Sequence, residues 1–129
     1  MARAWIDLCD RFEKKHNFVL TLPGLVYFIK QDRDSLLSRS RNSNMMAIDP
    51  EYHDPTDPRW LQFRLAFSEV AMQHGGIPHN NKTKDGAVHW FARACDQDAL
   101  REYLKLRKEL DPTDMFLNEF FATMFAGYL

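Results

Sequence analysis

The residues best suited to chemistry lie together at residues 75–82, which read Gly-Gly-Ile-Pro-His-Asn-Asn-Lys. His79 can act as a base near neutral pH, and Lys82, three residues later, carries a fixed positive charge. This pair suits removal of a hydroxyl proton beside a charge that stabilises a developing alkoxide or a reduced cofactor. A solvated loop with an incidental histidine would contain the same residues, so the stretch alone leaves both interpretations open.

Catalytic motifs of other kinds are missing from the sequence. Its five glycines form neither a dinucleotide-binding fingerprint nor a phosphate loop, and no nucleophile elbow or His-Glu-x-x-His is present. His53, Asp54 and Asp57 match no known ligand spacing, so we expect no metal site. Residues 33–44 are rich in arginine and serine, which allows an anion site but is more typical of a solvated loop. The arginines concerned are Arg33, Arg39 and Arg41.

Composition limits the class of protein. The 129 residues are enough for one modest domain, and 45% hydrophobic with 27% charged residues is ordinary for a globular chain. A net charge of -1 argues against binding to nucleic acid, which needs a basic face. No apolar run approaches the length of about 18 residues that a membrane span requires. Cys9 and Cys95 form no disulfide framework, which favours two reduced thiols in a cytoplasmic protein.

The elements that must hold the loop of His79 and Lys82 are indicated by hydrophobic periodicity and by Pro and Gly breaks. In chain order, the sequence predicts a helix over about residues 3–15, one or two strands within 18–29, a short buried strand over 45–48, a helix over 58–74, a loop over 77–86, and helices over 87–94, 97–110 and 119–128. Strands first and helices later predict an α+β fold, with helices packed on a small antiparallel sheet.

The predicted helix over residues 58–74 leads directly into the loop. Asp57 can accept a hydrogen bond from the first turn, and Pro58 follows where its missing N–H is not needed. The two glycines after His74 end the helix, so the loop starts from a fixed point. The residues expected to face the core are Trp60, Phe63, Phe67, Val70 and Ala71 in this helix, and Leu100, Tyr103, Leu104 and Leu110 in the helix over 97–110.

A second motif lies at residues 110–118, which read Leu-Asp-Pro-Thr-Asp-Met-Phe-Leu-Asn. Taken alone it is a turn followed by Asn118 as the N-cap of a helix. Together with Gly-Gly-x-Pro-His-x-x-Lys about thirty residues earlier, it resembles the C-terminal region of FAD-linked oxidoreductases of the vanillyl-alcohol-oxidase superfamily, especially aldonolactone and alditol oxidases. The resemblance covers about residues 18–121. Asn80 stands where that family usually has tryptophan, and Asp114 where glycine is common.

The resemblance implies that residues 1–129 form a single domain, the substrate-side or cap region of such an enzyme, without the N-terminal FAD-binding domain. FAD would then be held mainly by a domain or subunit supplied elsewhere, and this chain would shape a pocket for a small alcohol or lactone. His79 would help take the hydroxyl proton, and Lys82 would stabilise the reduced flavin or orient the substrate oxygen. Phe116 and Asn118 would contact the flavin ring. The alternative is a non-catalytic α+β remnant that has lost the flavin and binds a partner.

Overall fold

The computed structural model describes residues 1–80, 82 and 84–129. Its elements in chain order are α1 (Ala2–His16), β1 (Leu25–Ile29), β2 (Met45–Asp49), α2 (Pro58–Gln73), α3 (Lys84–Ala94), α4 (Gln97–Leu110) and α5 (Glu119–Met124). The two strands pair antiparallel, with Tyr27 opposite Ala47 and Leu25 opposite Asp49. Within the described residues the fold is therefore five helices with one small antiparallel sheet, which confirms the predicted α+β class.

One aromatic core joins α1 to α2. Phe63 of α2 is fully buried, and its ring meets that of Phe12 in α1 edge-to-face, with centroids 5.2 Å apart. Phe18 packs on the other side, with its ring centroid 5.4 Å from that of Phe63. Aromatic pairs in such geometries are more favourable than their buried area alone. Trp60 and Phe67 are also buried, so the predicted inward stripe of α2 is confirmed over its first three turns.

A second core joins α3, α4 and α5. Phe91, Leu100 and Phe125 are nearly or completely buried there, and Tyr103 and Leu104 pack against them as predicted. The prediction for Leu110 is wrong, because this side chain is 76% exposed. Leu110 is the last residue of α4, and the helix has run past the core by that point. Periodicity gives the direction of a side chain and not the length over which the helix has a neighbour.

Several predicted strand and helix boundaries are corrected. Residues 18–24 contain no strand, because Asn17 adopts a left-handed cap at the end of α1 and turns Phe18 into the aromatic core. Tertiary packing has overridden the strand propensity of this apolar stretch. β2 is half-buried rather than fully buried. α3 begins at Lys84, earlier than predicted, and α5 is shorter than predicted. Asn81 and Thr83, in the predicted loop over 77–86, lie outside the described residues.

The ends of α2 are fixed as the sequence predicts. Asp57 caps the first turn by accepting a hydrogen bond from the backbone N–H of Arg59 at 2.8 Å. The same carboxylate accepts hydrogen bonds from the Arg59 guanidinium and from Tyr52, and the bonds from Arg59 above all hold the pKa of Asp57 far below its usual range. At the other end, Gly75 has a φ of 72°, which favours glycine. The chain leaves α2 there in a defined direction, towards residues 77–79.

Gly86 allows α2 and α3 to approach closely. A Cβ atom at this position would lie 2.3 Å from Ser68 Oγ and 2.9 Å from Ser68 Cβ. We expect Gly86→Ala to lower the free energy of unfolding by about 1–3 kcal/mol through overpacking, despite the higher helix propensity of alanine. Urea denaturation measures the change. In a Ser68→Ala background the loss should be smaller, since the nearer atom is gone.

Gly127 provides the matched control, because no atom lies within 4 Å of a Cβ added there. Gly127→Ala should leave the urea midpoint close to that of the parent. Equal midpoints for Gly86→Ala and Gly127→Ala would show that the α2–α3 contact tolerates a methyl group.

Candidate active site

A cleft of about 260 Å³ lies beside the sheet, and β2 lines it along its whole length. The C-terminal half of α2 and the turn at residues 75–79 form other parts of the lining. His79 and Lys82, the two residues predicted from the loop motif, both line this cleft. The structure therefore brings the predicted pair together in one concave site, where a small molecule has room beside them.

Lys82 contacts His79 within the loop and Asp49 at the end of the strand β2. The backbone N–H of Lys82 donates to Nδ1 of His79 at 3.3 Å. The Lys82 ammonium forms an ion pair with the carboxylate of Asp49, the last residue of β2. The Asp49 side chain is only 13% exposed, whereas that of Lys82 is 50% exposed. In the sequence, Asp49 only follows the predicted strand over residues 45–48, and residue types alone give no sign of its pairing with Lys82.

The charges around His79 act on it in opposite directions. Burial lowers the pKa of His79, the positive charges of Arg39 and Lys82 lower it further, and the negative charge of Asp49 raises it. The hydrogen bond and charge of Asp49 raise the pKa of Lys82. At neutral pH, His79 is therefore held in its neutral form while Lys82 remains charged. Those are the protonation states that a base and a neighbouring stabilising charge need.

Two substitutions should move the pKa of His79 in opposite directions. Arg39→Gln removes a positive charge, so we expect the pKa to rise, and Asp49→Asn removes a negative charge, so we expect it to fall. NMR titration of the His79 ring protons measures both shifts. Shifts of the same sign in the two variants would contradict the charge arrangement described here.

The other two predicted site residues lie outside the cleft. Asn118 caps α5, and its side-chain oxygen accepts a hydrogen bond from the backbone N–H of Phe121 at 3.0 Å. The Phe116 side chain is 81% exposed. Neither residue lines the cleft of His79 and Lys82. The N-cap interpretation of Asn118 is confirmed, and contact of Phe116 and Asn118 with a flavin ring stays a prediction.

The tail motif is held together by its own acidic residues. The buried Asp111 carboxylate accepts hydrogen bonds from the backbone N–H groups of Met115 at 2.8 Å and Phe116 at 3.0 Å. Asp114 has a φ of 58°, a left-handed conformation that explains why glycine is common at this position in the family that the motif resembles. An ion pair from Arg107 to Asp114 at 2.7 Å stabilises the turn. The motif thus builds a hydrogen-bonded turn that exposes apolar side chains.

The metal site and the anion site considered from the sequence are described here by the contacts of their residues. No group of three or more metal-binding side chains occurs within the described residues. His53 Nδ1 instead shares a hydrogen bond of 2.6 Å with Thr21 Oγ1. In the arginine-rich loop, Arg41 donates to the backbone carbonyls of Arg33 and Ser35. No helix in the part of the chain that the structure describes is long and apolar enough to cross a bilayer.

Comparison with known proteins agrees with the family resemblance of the two sequence motifs. The family model for D-arabinono-1,4-lactone oxidase matches residues 3–124. An α+β fold of this kind, with that match, defines an oxidoreductase region of the lactone-oxidase type. The chain belongs to the D-arabinono-1,4-lactone oxidase family, which confirms the resemblance inferred from the two motifs. No curated protein and no solved structure matches the chain significantly.

Proposed function

We propose that this chain is the substrate-side region of an FAD-dependent oxidoreductase that acts on the CH–OH group of a small alcohol or lactone. In this proposal it is active together with an FAD-binding domain that makes most of the cofactor contacts. The observation that carries the proposal is the pair of His79 and Lys82 at one cleft, in a chain of the lactone oxidase family. The residue pair and the family membership are both needed, because a fold or family alone does not specify a reaction.

The residues of the cleft fit the ring end of a flavin. Met46 and Ile48 of β2 and Ile77 of the turn give apolar surface, and the Lys82 ammonium offers a positive charge for a ring that becomes negative on reduction. A pyrophosphate requires a different site, with clustered backbone N–H groups, and the sequence has no glycine-rich loop to form one. The cleft thus suits the flavin ring and not the pyrophosphate, which supports an arrangement in which another domain holds the nucleotide end of FAD.

FAD, when bound, supplies the acceptor for the hydride that leaves the carbinol carbon. The hydroxyl proton goes to His79, whose neutral ring has its basic lone pair on Nδ1. That atom now accepts a long hydrogen bond of 3.3 Å from the Lys82 backbone, which an approaching substrate hydroxyl would displace. The carbinol thus loses one hydride and one proton and becomes a carbonyl. Lys82, fixed by Asp49, orients the substrate oxygen or stabilises negative charge.

The surface for the FAD-binding domain, in this proposal, is formed by the tail motif. Leu110, Met115 and Phe116 are 76%, 75% and 81% exposed, and we call them the tail surface. Exposed apolar side chains that lie close in the chain and are held by a hydrogen-bonded turn are typical of a binding surface. The same surface would serve the alternative function, a partner-binding domain without flavin, so the two proposals differ in turnover and not in association.

Co-expression with the FAD-binding domain of an aldonolactone oxidase tests the proposal. We expect the two chains to purify together, with bound flavin that is bleached anaerobically by a suitable alcohol or lactone. Phe116→Ser should weaken association, whereas Phe28→Ser, at a position that is 82% exposed on β1, provides the matched control. Association without flavin bleaching by any substrate in the series would favour the partner-binding alternative. Failure to associate with the FAD-binding domain would contradict the first proposal.

A further inference from the structure

A second cavity, of about 430 Å³, adjoins the cleft of His79 and Lys82. Ile29 and Arg39 line both spaces, and Asn80, which lines the second cavity, directly follows His79 in the chain. Because neighbouring Cα atoms lie about 3.8 Å apart, a small molecule that reaches His79 can extend into this cavity. The proposed reaction at His79 uses the cleft and leaves the second cavity without a role.

The second cavity is lined by both polar and apolar side chains. Asp32, Arg39 and Asn80 line it together with three serines of the loop after β1. The aromatic rings of Phe91 and Phe121 provide part of its apolar surface. Apolar surface with a few polar groups is typical of a site for a small molecule.

The charges of the second cavity balance one another. Its charged side chains, within the described residues, are those of Asp32 and Arg39. Hydrogen bonds from Ser35 and from the backbone lower the pKa of Asp32, so its carboxylate is ionised at neutral pH. No ion pair joins these two described side chains, so each keeps polar atoms for a ligand. A cavity with one acceptor group and one donor group of opposite charge suits a ligand that is polar and neutral.

We infer that Asp32, Arg39 and Asn80 bind hydroxyl groups of a neutral substrate whose CH–OH group is oxidised beside His79. A hydroxyl group both donates and accepts, so one hydroxyl can donate to the Asp32 carboxylate while its neighbour accepts from the Arg39 guanidinium. Hydrogen bonds to charged groups are stronger than those between neutral groups. The hydroxyl site depends on the second cavity alone, and its designation as part of the substrate site rests on the proposed function.

Other classes of ligand fit the second cavity less well. The ionised carboxylate of Asp32 repels a phosphate or a carboxylate that approaches Arg39. An apolar ligand would remove both side chains from water and give no hydrogen bond in return, which is unfavourable. A polyhydroxylated neutral molecule meets neither difficulty.

Asn80 distinguishes the cavity of this chain within its family. It stands where tryptophan is usual, and its side chain is half-buried at the second cavity. An asparagine amide has both donors and an acceptor, whereas an indole ring has a single donor and a much larger volume. A tryptophan at this position would fill part of the cavity and remove an acceptor for substrate hydroxyls.

Ligand titration of the full chain, without flavin, tests the inference. The probes are D-arabinono-1,4-lactone and γ-butyrolactone, which share a neutral five-membered lactone ring and differ in their hydroxyl groups. Binding is followed by backbone NMR shifts. We expect the hydroxylated lactone to shift residues around the second cavity and to bind at least about tenfold more tightly than γ-butyrolactone, as hydrogen bonds to charged groups imply.

Two variants on separate segments locate the site. Asp32→Asn retains a side-chain oxygen for the backbone N–H groups of Asp34 and Ser35, which Asp32 accepts at 2.9 and 3.3 Å. We expect it to weaken binding of the hydroxylated lactone about fivefold or more, because the charge is lost. Asp34→Asn, the same change at an exposed neighbour, should leave binding within about twofold. Asn80→Trp should lower the affinity towards that of γ-butyrolactone.

Equal binding of the two lactones, or no binding of the hydroxylated one, would overturn the inference. Parent-like affinity for the hydroxylated lactone in either Asp32→Asn or Asn80→Trp would do the same. The spectra show in the same titrations whether each variant is folded, so an unfolded Asp32→Asn variant leaves Asn80→Trp to decide.

Flavin reduction in the complex with an FAD-binding domain separates this inference from the proposed function. Asp32→Asn should raise the lactone concentration for half-maximal reduction and leave the maximal rate within about threefold of the parent, as loss of uniform binding does. If the parent reduces the flavin and Asp32→Asn does not change that concentration, the enzyme proposal stands and the inference fails. If lactone binding depends on Asp32 and Asn80 and no substrate reduces the flavin, the hydroxyl site stands and the proposed function fails.

Discussion

His79→Ala is expected to lower the rate of flavin reduction about 10²- to 10⁴-fold in the complex with an FAD-binding domain. Loss of a general base has an effect of this size, and the neutral His79 ring is the base that the cleft offers beside a fixed cation. Lys82→Met should also slow reduction, because it removes the ammonium and leaves the Asp49 carboxylate unpaired in the cleft. Anaerobic stopped-flow measurement of flavin bleaching gives the rate of this step directly.

His74→Ala is the matched control for this prediction. His74 lines the same cleft, but its Nδ1 is engaged with the backbone carbonyl of Val70 at 2.9 Å at the end of α2. We expect its rate of flavin reduction to remain within about threefold of the parent, well short of the loss that follows removal of a general base. If His79→Ala and Lys82→Met also reduce the flavin at rates within about threefold of the parent, neither residue takes part in the mechanism.

The pH dependence of the rate has a definite sign. A base must be neutral to accept a proton, and the pKa of His79 is lowered by burial and by Arg39 and Lys82. The rate should therefore hold through neutral pH and fall only when acid protonates His79, below the usual range for histidine. Arg39→Gln raises this pKa and should move the acidic fall to higher pH.

Much of the helical framework could be predicted from the sequence. α2 and α4 begin after Asp57 and Asp96, whose side chains accept hydrogen bonds from the first turn of each helix, and α2 ends before Gly75, whose φ is positive. Such signals are local, because a cap or a positive φ depends on a few neighbouring residues. The loop motif identified His79 and Lys82 for the same reason, since the two residues lie only three positions apart in the chain.

The features that the sequence could not indicate depend on distant neighbours. Asp49 meets Lys82 only because the turn after α2 comes back to the end of β2, and no pattern in either segment encodes that meeting. Arg39 could not be distinguished from Arg33 and Arg41 by residue type, and only the fold shows which guanidinium reaches the cleft. The exposure of Leu110 has the same origin, because it depends on where the neighbouring helices end.

Phe63→Ala is expected to lower the free energy of unfolding by about 3–5 kcal/mol, the usual loss for a fully buried aromatic side chain. Its ring contacts Phe12 of α1 and stacks on Phe67, which lines the cleft. The substitution therefore leaves a cavity between α1 and the helix that supports the turn of His79. Urea denaturation followed by tryptophan fluorescence measures the loss.

Phe28→Ala makes the same chemical change at a side chain that is 82% exposed, and it should alter stability by less than about 0.5 kcal/mol. A loss of 3–5 kcal/mol is a large part of the stability of an ordinary domain, so Phe63→Ala can leave too little folded protein to measure. Phe63→Leu retains most of the volume, so we expect it to fold with a lower urea midpoint than Phe28→Ala. Equal midpoints for these two variants would show that the α1–α2 core does not determine the stability of the helix that ends at the turn of His79.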